Sequence, residues 1–123
     1  MARTIIAAVA VWLGLALPAG QASAHHGWSW TTDGNIELTG IIRKASLGMP
    51  HGVLHVDAEG EVWTVEVGQP WRNERAGLAP DSLAEGIEIR IIGQPSAETS
   101  EKRMKAERIY IQGRLYNLYP GRD

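Results

Sequence analysis

The most informative segment for the architecture is Gly68-Gln69-Pro70-Trp71-Arg72-Asn73-Glu74-Arg75-Ala76-Gly77. Pro70 suits the first turn of a helix, where its missing N–H costs no hydrogen bond, and Gly77 suits the residue just after a helix. We therefore predict a short helix from Pro70 to about Ala76. Pro80-Asp81-Ser82-Leu83 predicts a further helical turn. Because strand-like sequence lies on both sides of this segment, its position can discriminate between all-β folds.

Three strands are predicted before the helix. Residues 36–43 alternate apolar and polar side chains, which indicates a long strand with one buried face, and Gly40 lies where such a strand could bend. The second strand is predicted at residues 51–57 and the third at residues 62–67. Ala58-Glu59-Gly60-Glu61 between them is typical of a hairpin connection. The second and third strands are therefore expected to pair antiparallel.

Two strands are predicted after the helix, at residues 87–93 and 106–111, with a polar, mobile loop at residues 94–105 between them. Residues 113–123 either continue the last strand or pack across a barrel end. Three strands, a helix and two strands follow one another in a barrel of the oligonucleotide/oligosaccharide-binding (OB) type. A β-sandwich accepts similar strands but does not predict a helix at that position. We predict an all-β fold: a small five-stranded OB-like barrel with a short helix between strands 3 and 4, preceded by a signal-peptide helix.

The amino-terminal residues are typical of an export signal. Arg3 gives a positively charged start, residues 5–17 are apolar, and Ala22-Ser23-Ala24 is typical of a signal-peptidase site. The apolar run is shorter than the roughly 20 residues that a membrane-spanning helix needs. We therefore expect residues 1–24 to be a signal peptide and residues 25–123 to form one domain. The processed chain is expected to be periplasmic or secreted, without a stable membrane anchor; its oligomeric state stays open.

Composition narrows the classes of function. The chain has 123 residues, no cysteine and a formal charge of −2 at pH 7. Disulfides and a lipoprotein anchor are therefore excluded, and nucleic acid is not expected as a partner. No catalytic set is evident, because there is no cysteine nucleophile and the serines lack a nucleophile-elbow context. We expect binding rather than catalysis, and we expect Arg72, Glu74 and Arg75 to form a solvated helix face.

Cleavage after Ala24 makes His25 the first residue of the processed chain. The α-amine and ring of His25, together with the rings of His26 and His51, form an all-nitrogen set of donors. Such a set suits Cu(II), with Zn(II) and Ni(II) as alternatives. We therefore predict a binding site for a transition metal ion, copper preferred, at His25, His26 and His51.

The choice of His51 rather than His55 follows from strand geometry. Residues four apart in a regular strand are separated by about 13 Å, so these two rings cannot easily share one ion. His51 follows Pro50 at a junction between loop and strand, where its ring is freer to turn towards the amino terminus. Met49 beside it could add a thioether ligand for Cu(I), although methionine often fills gaps in a core.

A function without a metal is the alternative. A histidine pair at a chain terminus can be a solvated end with no ligand. Trp28 and Trp30 would project from one face of an extended segment, where flat rings can stack on a sugar or a partner protein. Trp63 is expected in the core, because Val65 and Val67 share its face. The alternative is therefore a metal-free ligand- or protein-binding OB-like module of the cell envelope.

Several short motifs carry a resemblance to a known family. Taken together, they resemble an uncharacterised family of small exported bacterial proteins, a domain of unknown function. The resemblance covers nearly all of residues 25–123 and implies a small barrel with no established activity. The family's paired histidines fall on His25 and His26, and its Asn-Pro-His falls on Met49-Pro50-His51, where Met49 departs from the usual asparagine. The motifs are Ala24-His25-His26, Ile36-Glu37-Leu38-Thr39-Gly40, Pro50-His51, Asp81-Ser82-Leu83 and Gly113-Arg114-Leu115-Tyr116.

Overall fold

The computed structural model describes residues 27–122, and these form an all-β barrel. Between the third and fourth strands lie helix α1 (Pro70–Arg75) and a 3-10 turn (Pro80–Leu83), so the predicted helical insert is confirmed. No helix among the described residues is long and apolar enough to cross a membrane. The predicted signal peptide, His25 and His26 lie outside the described residues. The strands are β1 (Ile36–Ser46), β2 (Val53–Ala58), β3 (Glu61–Glu66), β4 (Glu88–Pro95), β5 (Arg103–Ile111) and β6 (Arg114–Asn117).

One parallel pairing closes the sheet into a barrel. The strand order is β3-β2-β1-β4-β5-β6, and β3 pairs in addition with β5. In this parallel pairing, which we call the seam, Thr64 lies beside Arg103 and Glu66 beside Lys105. The seam joins the two ends of a five-stranded sheet, and β6 adds to β5 outside the closed barrel. The predicted five-stranded OB-like barrel is confirmed.

Strand β1 is long because it serves both halves of the barrel. Residues 36–41 pair antiparallel with β4, and residues 41–46 pair antiparallel with β2. Gly40 lies at this change of partner. A Cβ atom there would lie inside van der Waals contact with the Asp57 carbonyl oxygen and 2.7 Å from Val56 Cγ1. Only glycine lets β2 approach β1 so closely. The irregularity in the pairing of β1 with β2 lies further along the strand, between Ile42 and Lys44.

The hairpin of β2 and β3 follows the predicted pattern. The two strands pair antiparallel, ending with Ala58 opposite Glu61. Glu59 and Gly60 between them have φ angles of 51° and 79°. Positive φ at both central residues is the geometry of a type I′ turn, whose twist matches that of the flanking strands. Burial alternates along β2, with Leu54 buried and its neighbours partly exposed.

Helix α1 is fastened to the end of β3 by one side chain. The buried amide of Asn73 accepts a hydrogen bond from Gly68 N and donates one to Gly68 O, both at 2.9 Å. Leu78 and Leu83, which follow the helix, then enter the barrel core. Trp63 packs against this core, as predicted. The buried core residues include Ile42, Leu54, Val56, Val65, Val67, Leu78, Leu83, Ile89, Ile91, Met104, Ala106, Ile109 and Leu118.

Strand β5 begins earlier than the sequence indicated, so the loop predicted at residues 94–105 is too long. The structure places Lys105 and Glu107 in the strand, and both are buried. Lys105 Nζ donates to Gly27 O at 2.7 Å, and Asn35 Nδ2 donates to Glu107 Oε2 at 3.0 Å. Lys105 fell in the predicted loop and Glu107 in the predicted strand, and both have partners that let a strand bury them.

The carboxyl-terminal residues turn back on the barrel. Two alternatives were open for residues 113–123. The described part of this segment does not continue β5, because it contains β6, which pairs antiparallel with β5. Tyr116 and Leu118 are buried against the core. Strand β2 also begins later than predicted, at Val53, so His51 lies in the junction before it.

We expect Gly40→Ala to lower the free energy of unfolding by roughly 1–3 kcal/mol, because the new methyl group would press against the backbone of β2. Urea denaturation measures this change. Gly48→Ala is the matched control, since a Cβ atom at Gly48 meets nothing within 4 Å, and its effect should stay within about 0.5 kcal/mol. Equal stabilities of the two variants would contradict the close approach of β2 to β1.

Candidate functional site

A cleft of about 580 Å³ lies beside the seam, between the barrel and the segment that precedes β1. Its walls come from residues 27–30, from the junction before β2, from α1, and from β3 and β5. Ligand sites in proteins commonly have volumes of roughly 300–1,000 Å³ and a few convergent polar groups. A cavity of about 460 Å³ beneath α1 is mainly apolar, with Glu74 as its one charged lining residue. The cleft beside the seam, which we call the seam cleft, is therefore the candidate site.

The carboxylate of Glu66 lies at the centre of the seam cleft. Its side chain is only 6% exposed, and its Oε1 atom contacts Arg103 Nη2 at 2.5 Å and His51 Nε2 at 3.0 Å. A buried carboxylate costs free energy unless charged or hydrogen-bonding partners offset the loss of water. Two side chains, one from β5 and one from the junction before β2, therefore converge on a single carboxylate oxygen of β3.

His51 is held in place by the hairpin that it precedes. Gly52 N donates to Gly68 O and Val67 N donates to Gly52 O, both at 2.9 Å, so the β2–β3 pairing continues to the residue next to His51. The His51 side chain is 33% exposed. Because a carboxylate can only accept, Nε2 must carry the proton when the ring is neutral. The Nδ1 atom of His51 then keeps its lone pair.

Lys105 holds the amino-terminal segment against β5. Its buried ammonium group donates to Gly27 O at 2.7 Å and lies 4.9 Å from the ring centre of Trp28. Burial lowers the pKa of Lys105 most, Glu66 raises it, and the guanidinium group of Arg72 lowers it. The positive charge therefore lies where water stabilises it poorly, and an added anion would stabilise it.

The tryptophans before β1 pack against cations of the barrel. Trp28 has the Arg122 guanidinium 3.9 Å from its ring centre, in addition to Lys105, and contacts Tyr119 edge-on with ring centres 5.0 Å apart. Trp30 has Arg103 at 3.8 Å. These contacts fasten residues 27–30 to the barrel and cover ring faces that stacking on a sugar would need.

Arg72 completes the positive wall of the cleft. Its guanidinium carbon lies 4.6 Å from the ring centre of Trp71 and 4.2 Å from that of Tyr119, and its Nη1 donates to Leu118 O at 3.1 Å. Arg72 is half-buried rather than fully solvated, because two aromatic rings and a backbone carbonyl hold it, whereas Glu74 and Arg75 are exposed as predicted. The cleft is lined by Arg72, Arg103 and Lys105 against the single carboxylate Glu66, so its charge is positive even with a neutral histidine.

Of the three predicted metal ligands, His51 lies within the described residues. His51 lines the seam cleft, and so does Gly27, which follows the predicted pair directly. His25 and His26 lie outside the described residues. Met49 is 73% exposed beside the cleft, so it does not fill a core gap. Within residues 27–122, no group of three or more histidine, cysteine, aspartate or glutamate side chains could hold a metal ion.

Sequence reasoning missed three members of this cleft: Glu66, Arg103 and Lys105. Glu66 was one of several charged strand residues, and the other two lay in the predicted loop. The parallel pairing of β3 with β5 brings them together. The signal that could have found them is the fold itself, since a closed barrel of this strand order must pair its third and fifth strands.

The fold and the cleft define the chain as a small OB-like barrel with a charged cleft at its seam. The chain belongs to the family of unknown function DUF6152, whose model matches residues 13–105. Among solved structures, the chain is similar to a chain in the crystal structure of the S. pombe Stn1–Ten1 complex, with 22% identity and a TM-score of 0.49. That match covers 63% of this chain and 57%, little more than half, of the other. No curated protein matches the chain.

We expect Glu66→Ala to lower the free energy of unfolding by roughly 1–3 kcal/mol, because Arg103 and His51 lose their shared acceptor. Glu61→Ala on the same strand is the matched control: Glu61 is 55% exposed and contacts Lys102 at 3.3 Å. Exposed pairs of this kind contribute at most about 1 kcal/mol. Urea denaturation compares the variants, and equal losses would show that the Glu66 cluster is no more than a surface ion pair.

Proposed function

We propose that the chain is an exported, non-enzymatic binding module of the cell envelope that holds a transition metal ion, copper preferred. In this proposal, residues 1–24 are removed on export and residues 25–123 form the working domain in the periplasm or outside the cell. The ligands are the amine and ring of His25 and the ring of His51, with His26 as an additional donor. An all-nitrogen set of this kind suits Cu(II).

The observation that carries the proposal is that Gly27 and His51 line the same cleft. The two come from distant parts of the sequence, and Lys105 binds the carbonyl oxygen of Gly27 directly. Two residues of chain span at most about 7 Å. The amine that cleavage would create at His25 is therefore tethered within a short distance of the cleft that contains His51.

The contact between His51 and Glu66 supports a ligand role for His51. Histidines that bind metal ions commonly donate their other ring N–H to a carboxylate, which fixes the ring and raises its basicity. Glu66 contacts Nε2 at 3.0 Å, and this leaves Nδ1 as the atom for the ion. The same carboxylate offsets part of the positive charge that an incoming cation would meet.

A metal-free binding module is the second candidate, and the charge of the cleft favours it. Three cationic side chains line the cleft against one carboxylate, which makes the interior more suited to an anion than to a bare cation. If a metal ion binds as well, its site would have to lie at the rim of the cleft, next to the amino-terminal segment. The two candidates differ in which residues a ligand needs.

We expect Cu(II) to bind tightly to protein that begins at His25, and to bind much more weakly when the α-amine of that histidine is acetylated, because acetylation removes the amine lone pair from the set of donors. Isothermal titration calorimetry measures both affinities. Affinity should also fall in mild acid, since an amine with a reference pKa near 8 and imidazoles near 6.5 must lose protons to bind the ion.

His51→Ala tests the third ligand, and His55→Ala is its matched control on the neighbouring strand. We expect the first substitution to weaken Cu(II) binding and the second to leave it unchanged, because His55 lies within β2 opposite Thr64. Equal affinities of all the forms, acetylated and substituted, would reject the metal site. Mass spectrometry of the exported protein reports its first residue, and any start other than His25 would also reject it.

A further inference from the structure

We propose that the seam cleft binds a small organic dianion, a phosphate monoester or a dicarboxylate, on Arg72, Arg103 and Lys105. The site is independent of the metal proposed above. It needs neither the free amine at His25 nor the ring of His51, and a bound anion would face the cationic side chains of α1 and β5.

Arg72, Arg103 and Lys105 have more hydrogen-bond donors than their contacts within the chain use. A lysine offers three N–H donors and an arginine five. In the described part of the chain, Lys105 Nζ donates to Gly27 O, Arg72 Nη1 to Leu118 O, and Arg103 Nη2 to Glu66 Oε1. Most of their donors therefore remain for a ligand, and all three side chains line the same cleft.

The same cations are held rigidly before any ligand arrives. Arg72 lies between the rings of Trp71 and Tyr119, and Arg103 lies 3.8 Å from the ring centre of Trp30. A planar guanidinium group fixed in this way can present two parallel N–H groups to a carboxylate or a phosphate. Preorganised donors lose little conformational entropy on binding.

The charge and size of the cleft suit a dianion with an organic body. Three cations against one carboxylate leave two positive charges unmatched while His51 is neutral, which a dianion would balance. The cleft of about 580 Å³ has room for an organic body as well as the anionic groups. Trp71 is 50% exposed, its ring centre lies 4.6 Å from the guanidinium carbon of Arg72, and it could offer that body an apolar surface.

The test is a chemical-shift titration by NMR, with the protein freed of metal ions on a chelator resin and kept in a buffer of constant ionic strength without phosphate or carboxylate. Phenyl phosphate and succinate are the dianionic probes, and acetate is the monoanionic control. We expect saturable shifts at the seam amides, including those of Glu66 and Lys105, with at least one dianion bound more tightly than acetate. Which dianion binds more tightly then distinguishes a phosphate from a dicarboxylate ligand.

Lys105→Met should weaken dianion binding by roughly tenfold or more, because a charge-assisted hydrogen bond is lost. Arg90→Gln is the control, since Arg90 pairs with Glu37 away from the cleft and should bind like the parent chain. If Lys105→Met does not fold, Arg72→Gln takes its place and should show the same loss.

Absence of saturable shifts up to about 10 mM ligand, a concentration that reveals even weak binding, would overturn the inference. Equal binding of acetate, or affinity unchanged by substitution at Lys105 and Arg72, would overturn it as well. Dianion binding is measured without metal ions, so it can be present even if Cu(II) does not bind. Cu(II) binding can likewise be present if no dianion binds.

Discussion

The buried carboxylate of Glu66 links the closure of the barrel to the charged cleft, because it lies on β3 where that strand pairs with β5. Its partners come from different parts of the chain: Arg103 from β5, and His51 from the junction before β2. The carboxylate is stable in this position only if both elements are in place, since an unpaired buried charge costs several kcal/mol. The closed barrel and the charged cleft therefore form together. The same contact that satisfies Glu66 also orients His51.

The amino-terminal segment depends in turn on the cations that the closed barrel presents. Trp28 lies between Lys105 and Arg122, and Lys105 also binds the Gly27 carbonyl oxygen. Chain ends are mobile unless specific contacts fasten them. Here, aromatic and cationic contacts fasten the segment beside the cleft and supply the proximity on which the metal proposal rests. Two of the cations that fasten it, Lys105 and Arg103, are also proposed to bind a dianion, so these side chains can serve both structure and recognition.

The sequence predicted the fold better than the candidate site because the two depend on different signals. The helix at Pro70 and the hairpin at Gly60 each have a local cause in backbone geometry, and each is confirmed. The cleft depends on the parallel pairing of β3 with β5, which leaves no local pattern. Lys105 therefore looked like a loop residue until the structure gave it partners. His51 could be predicted because its position after a proline is visible in the sequence, whereas its contact with Glu66 is not.

In the proposed metal site, the amino terminus of the processed chain and His51 bind one ion at the seam cleft. Paramagnetic broadening of NMR signals by substoichiometric Cu(II) locates the bound ion most directly, because the effect falls steeply with distance. If the two share the ion, the amide signals of Gly27 and Gly52 should broaden first, and the signal of Gly60 in the hairpin should stay sharp. Broadening centred on β2 around His55, or spread evenly over the chain, would contradict the claim.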